Sequence, residues 1–94
     1  MVTKDKPGTK QEIAEYHVFD TWVDGKNGEA IHFDVCTAVK NGKKAIEFAK
    51  EYLKSIGQEG AKVTSEECGF CHSDEPDKAQ AKKLNEKGYF IIRM

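Results

Sequence analysis

Tyr16-His-Val-Phe-Asp-Thr-Trp-Val-Asp-Gly-Lys-Asn-Gly-Glu-Ala-Ile-His-Phe-Asp-Val35 is the stretch on which the fold turns. Tyr16 to Val23 and Ala30 to Val35, extending to Thr37, are dense in aromatic and β-branched residues, and Asp24-Gly-Lys-Asn-Gly28 lies between them. Two strand-forming runs around an Asn-Gly turn read as a β-hairpin. Strand side chains alternate between faces, so the register decides which residues meet. A two-residue Asn27-Gly28 loop pairs Lys26 with Glu29 and collects His17, Thr21, His32, Asp34 and Cys36 on one face. A three-residue Lys26-Asn27-Gly28 loop puts Gly28 in the left-handed position of a bulged turn. It places Phe19, Val23, Ile31, Phe33 and Val35 on one face with His17 and Thr21, and Tyr16, Val18, Asp20, Trp22, His32, Asp34 and Cys36 on the other. The second register is favoured, because it gathers the large apolar side chains Phe19, Val23, Ile31, Phe33 and Val35 on one side.

Downstream of the hairpin, Ala45, Ile46, Ala49, Tyr52, Leu53 and Ile56 recur at helical spacing, flanked by Phe48, and predict an amphipathic helix from Lys43 to Ile56. Asn41 is suited to its N-cap and Gly57 to its C′ position. Ala61 to Thr64 predicts a short strand, and Ser65 to Asp74 a loop. A second helix is expected from Pro76 or Asp77 to Lys87, with Asp74 near its N-cap and Gly88 as its stop. Its few apolar residues (Ala79, Ala81, Leu84) suit a helix lying loosely on the surface. Tyr89-Phe-Ile-Ile-Arg93 is a nearly continuous apolar run, as in a strand covered on both faces. The order β-β-α-β-α-β gives an α+β domain over residues 16–94. Helical crossovers favour parallel pairing of the later strands, so the expectation is a mixed four-stranded sheet with two helices. Residues 1–15 are polar, broken by Pro7-Gly8, and read as a mobile tail.

Composition narrows the function classes. The chain has 94 residues, 33% charged and 38% apolar, which suits one domain with a thin core. A net charge of −1 provides no basic face for phosphates. Lysines cluster at Lys40, Lys43 and Lys44 and at Lys78, Lys82, Lys83 and Lys87, but acidic residues sit among them, so nucleic acid is not an expected partner. No stretch approaches the roughly 20 apolar residues of a membrane span. The first ten residues contain no apolar core of a signal peptide, so a cytoplasmic location is expected. The three cysteines, Cys36, Cys68 and Cys71, are an odd number, which argues against a disulfide framework.

Two groups of residues carry chemical promise. In the favoured register Asp20 and Asp34 flank His32, and a carboxylate beside an imidazole orients it, as an acid–base pair requires. A hydrogen-bonded structural network uses the same residues. The second group is Cys68-Gly-Phe-Cys-His72. It matches the C-x-x-C-H pattern of covalent haem attachment, but that attachment occurs outside the cytoplasm, so haem is not expected. A redox pair needs a nearby helix N-terminus or cations, whereas Glu66, Glu67, Asp74 and Glu75 surround the motif. Two readings remain. Cys68, Cys71 and His72 form part of a metal site, with zinc the natural ion and His17, His32 or Cys36 the candidates to complete it. Alternatively, the cysteines act as small apolar packing residues.

His17-Val-Phe-Asp-Thr21, His32-Phe-Asp-Val35, Glu67-Cys-x-Phe-Cys-His72 and Gly88-Tyr-Phe90 occur in that order. In this combination the chain resembles the small bacterial family catalogued as domain of unknown function twenty-twenty-four, from about Tyr16 to Arg93. The resemblance implies a compact α+β domain and no particular activity. It groups His17, Asp20, Thr21, His32 and Asp34 with Cys68, Cys71 and His72 as a signature set; Cys36 is not part of that pattern. Three functions follow as expectations. The first is a binding module with a Cys/His metal-type site. The second is an interaction or self-association domain, a homodimer for example, using the face of Tyr16, Val18 and Trp22. The third is an acid–base enzyme using Asp20, His32 and Asp34.

Overall fold

The hairpin forms in the favoured register. In the computed structural model, which describes residues 13–93, strand β1 (Tyr16–Asp24) runs antiparallel to β2 (Ala30–Thr37). Phe19 faces Val35, Asp20 faces Asp34, Trp22 faces His32 and Val23 faces Ile31. Gly25 N–H donates to the Glu29 carbonyl, closing the loop around Lys26-Asn27-Gly28. Gly28 has φ 81°, the left-handed conformation that this turn requires and that glycine adopts without strain.

Asn41 caps helix α1 (Gly42–Ser55), its side chain accepting from the Lys43 and Lys44 N–H groups. Ala45, Ala49 and Leu53 are buried along the stripe that the spacing predicts. They pack on Phe19, Val23, Ile31, Phe33 and Val35, and this cluster is the main core. Helix α2 (Lys78–Lys87) is capped by Asp77 rather than by Asp74. Asp77 accepts from Gln80 N–H while the Gln80 side chain accepts from Asp77 N–H, a complete capping box. Gly88, with φ 88°, ends it. Only Leu84 of α2 is buried, yet it closes a second core on the opposite face of the sheet, with Tyr16, Val18, Cys36 and Phe90. Ile13 packs against this second core. Residues 1–12 of the expected tail lie outside the described residues.

The sheet corrects two expectations. Ala61–Thr64 is not a strand; β3 is Cys68–Asp74, the cysteine motif itself. The strand order is β3-β1-β2-β4, with β4 (Tyr89–Arg93) on the far edge. Every neighbouring pair is antiparallel, so the sheet is not mixed. The crossover through α1 does return the chain in the direction of β2. It lands β3 beyond β1 rather than beside β2, and β1 separates the two parallel-running strands. Along β4, Tyr89 and Phe90 enter the two cores on opposite faces, as an apolar run covered on both sides would, but Ile92 is exposed. No helix among the described residues is long and apolar enough to cross a membrane.

Candidate functional site

Helix α1 packs on one face of the sheet over the main core, and α2 on the other over the second core, leaving part of that second face open. The open part carries Asp20 and Trp22 from β1 and His32 and Asp34 from β2. His32 Nε2 lies 2.5 Å from Asp20 Oδ1. The imidazole also stacks on the Trp22 indole, with ring centroids 3.8 Å apart and planes 14° from parallel. One contact fixes the direction of the ring nitrogen and the other fixes the plane of the ring. One potential ligand atom from each of Asp20, His32 and Asp34 lies within 4.8 Å of the other two, and this is the single such group among the described residues. All three residues are half-buried.

Asp20 and Asp34 are direct cross-strand neighbours, and like charges in that position repel. Partial burial, first, and then the Asp20 carboxylate beside it push the Asp34 carboxyl above its ordinary range; His32 and His72 act the other way. The site therefore concentrates negative charge that a proton, an imidazolium or a metal ion would neutralise.

The other members of the signature set are dispersed. Thr21 is fully buried on the α1 face, its hydroxyl donating to the Phe19 carbonyl at 3.0 Å and to Cys68 Sγ at 3.4 Å. His17 lies on that face as well, with Nδ1 2.7 Å from Ser73 Oγ. Cys68 is buried in the main core, and burial raises its thiol pKa. Cys36 is buried in the second core, its thiol pushed up to about 12, chiefly by desolvation. Cys71 is exposed, its Sγ 3.2 Å from Nδ1 of His72. Tyr16 and Val18, expected on an interaction surface, are buried beneath α2. Trp22 is the member of that trio left open, 52% exposed.

Strand β3 pairs with β1, Cys68 opposite Thr21, Gly69 opposite Asp20 and Phe70 opposite Phe19. The register then shifts at a β-bulge, after which His72 faces Val18. Cys71 is the extra residue, and this puts His72 on the same sheet face as Asp20. A Glu67 carboxylate bonded to Thr64 N–H and hydroxyl fixes the turn that launches β3, and those bonds lower its pKa. Trp22 N–H donates to the Glu67 carbonyl at 2.9 Å, continuing the ladder. A shallow depression runs from Asp20 and Trp22 across the bare backbone of Gly69 to Cys71. A larger concavity lies away from this cluster, between α1 and residues 58–64.

The family profile described as Domain of unknown function (DUF2024) matches residues 14–94. The chain is also similar to the NMR structure of protein NE1680 from Nitrosomonas europaea, at 54% identity and a TM-score of 0.78. The similarity covers 85% of this chain and 94% of that one. No curated protein matches the chain.

Proposed function

We propose, for a chain that belongs to the DUF2024 family of domains of unknown function, that Asp20, His32 and Asp34 bind a divalent cation of the zinc class. The observation that carries this reading is the convergence of three ligand atoms within 4.8 Å on one hairpin. Two carboxylate oxygens and one imidazole nitrogen form a mixed donor set that suits zinc and its first-row neighbours, rather than the all-oxygen shell of calcium. Three protein ligands leave coordination positions open to water, to a small ligand or to a further side chain. A dication also offsets the Asp20–Asp34 repulsion. Trp22 holds the imidazole plane, which lowers the ordering cost of binding.

Placement of the ion at Cys68 and Cys71 is less well supported. The Cys68 thiol is buried against Thr21 and resists ionisation, and a zinc ligand must be a thiolate. The acid–base reading retains its own observation, the 2.5 Å contact between His32 and Asp20, and the two readings diverge on metal.

Protein stripped with chelator should take up one equivalent of zinc in a calorimetric titration. The Asp20→Asn/Asp34→Asn double variant should not, and Cys68→Ser/Cys71→Ser should bind as the parent does. Loss in the cysteine variant with retention in the carboxylate variant would move the site to the cysteines. A parent that binds no divalent ion would end the metal reading and leave the Asp20–His32 pair as the active unit.

A further inference from the structure

We propose that His72 is a fourth ligand of the same cation, which joins the C-x-x-C-H motif and the hairpin cluster in one Asp2His2 site. This rests on the metal reading above. Its basis is the sheet register. Asp20 lies on the central strand β1, with His32 on β2 at one diagonal position, since His32 faces Trp22, two residues from Asp20. His72 on β3 occupies the opposite diagonal, facing Val18, two residues from Asp20 the other way. Diagonal cross-strand neighbours sit about 7–8 Å apart, within reach of an aromatic side chain. On the β2 side this diagonal is already bridged, with His32 Nε2 touching Asp20.

The β-bulge makes the second diagonal available. Without the extra residue at Cys71, the alternation of β3 would turn His72 toward the α1 face. With it, His72 shares the open face with Asp20 and Asp34. The His72 side chain is exposed and in contact with the Cys71 thiol. Rotation of an exposed ring costs little, so the ring turns from Cys71 towards Asp20 when an ion is present. Gly69, opposite Asp20, puts no side chain in the way, and a Cβ there would meet nothing within 4 Å. The completed set has two imidazole nitrogens and two carboxylate oxygens, which tilts selectivity further from magnesium, calcium and manganese towards zinc, iron(II) or copper.

The chain has three histidines, so proton–nitrogen correlation spectra of the imidazoles resolve each ring. Zinc added to the intact protein should shift a ring nitrogen of His32 and of His72 and leave His17, on the other face, unchanged. His72→Ala should weaken zinc binding by about tenfold or more, since even loss of an outer-shell partner costs 10- to 100-fold. His17→Ala should bind as the parent does. Zinc bound with only His32 shifted, and with His72→Ala unaffected, would overturn this assignment while leaving the three-residue site intact. A His72 shift that survives Asp20→Asn/Asp34→Asn but vanishes in Cys71→Ser would place the ion on Cys71 and His72 and overturn it as well. A parent that binds no zinc overturns both readings.

Discussion

Replacing Asp34 with asparagine should stabilise the metal-free protein and destabilise the metal-bound one relative to the parent. Asparagine has the shape of a protonated aspartate, keeps a donor for Asp20 and removes one of two opposed charges. Relief of a like-charge pair directly across two strands amounts to roughly 0.2–1 kcal/mol. In a domain of this size that is about 1–8 °C in melting temperature. The Asp34 carboxyl titrates above its ordinary value of 3.8 in the folded state. Its favourable contribution is therefore complete below the unfolded pKa and lost as pH rises through the folded one. Accordingly, the advantage of Asp34→Asn should be largest near neutrality and shrink toward zero by about pH 3, where the Asp34 carboxyl is protonated. Zinc at a hundred times its dissociation constant should add about 2.7 kcal/mol to the parent and far less to the variant, which reverses their order. Thermal melts by circular dichroism at pH 7 and pH 3, with chelator and with zinc, give all four values. A variant that melts below the parent at pH 7 in chelator would show that Asp34 is needed as a charged hydrogen-bond acceptor. Equal zinc stabilisation of both proteins would show that Asp34 is not a ligand.

Two further predictions follow from the placement of the polar residues. A thiol-disulfide reagent should titrate one of the three cysteines in the native protein, Cys71, and all three in denaturant, because Cys36 and Cys68 are buried; fast reaction of two thiols in the native state would contradict the packing of β3. Thr21→Val should change stability by no more than about 1 kcal/mol, since the lost bonds are those of one neutral hydroxyl, and should leave zinc affinity unchanged. A large loss of affinity would mean that the two sheet faces communicate.

The hairpin and both helices were legible because local chemistry and the final packing agree. Gly28 allows the left-handed turn, and of the registers open to that turn the one formed puts the apolar side chains together on the face where α1 packs. The same register brings Asp20 and Asp34 together and carries His17 and Thr21 away from them, so half of the polar set could be read from alternation alone. Strand β3 was not legible. Cys-Gly-Phe-Cys-His-Ser-Asp has little strand propensity and no apolar alternation, and it is held as a strand by pairing with β1 some fifty residues earlier. Ala61–Thr64 has the better local pattern but no partner strand. The antiparallel neighbours were hidden for a related reason. The crossover through α1 returns β3 in the direction of β2 but carries it past β1, and the connection through α2 brings β4 back antiparallel to β3, on the far side of β2. Burial of Tyr16 and Val18 depended on Leu84, a single apolar contact from a mostly polar helix that carries little amphipathic signal.

The bulge at Cys71 also bears on how the molecule behaves at high concentration. Strand β3 is an outer edge of the sheet, exposed along nearly its whole length, and a flat, open edge is a template for adding strands from other chains. An extra residue in mid-strand kinks that edge, twists it away from a straight ladder and interrupts its outward hydrogen-bonding repeat. Asp74 adds a charge where an incoming strand would have to align. The irregularity that brings an imidazole onto the open face thus also protects the protein against edge-to-edge aggregation.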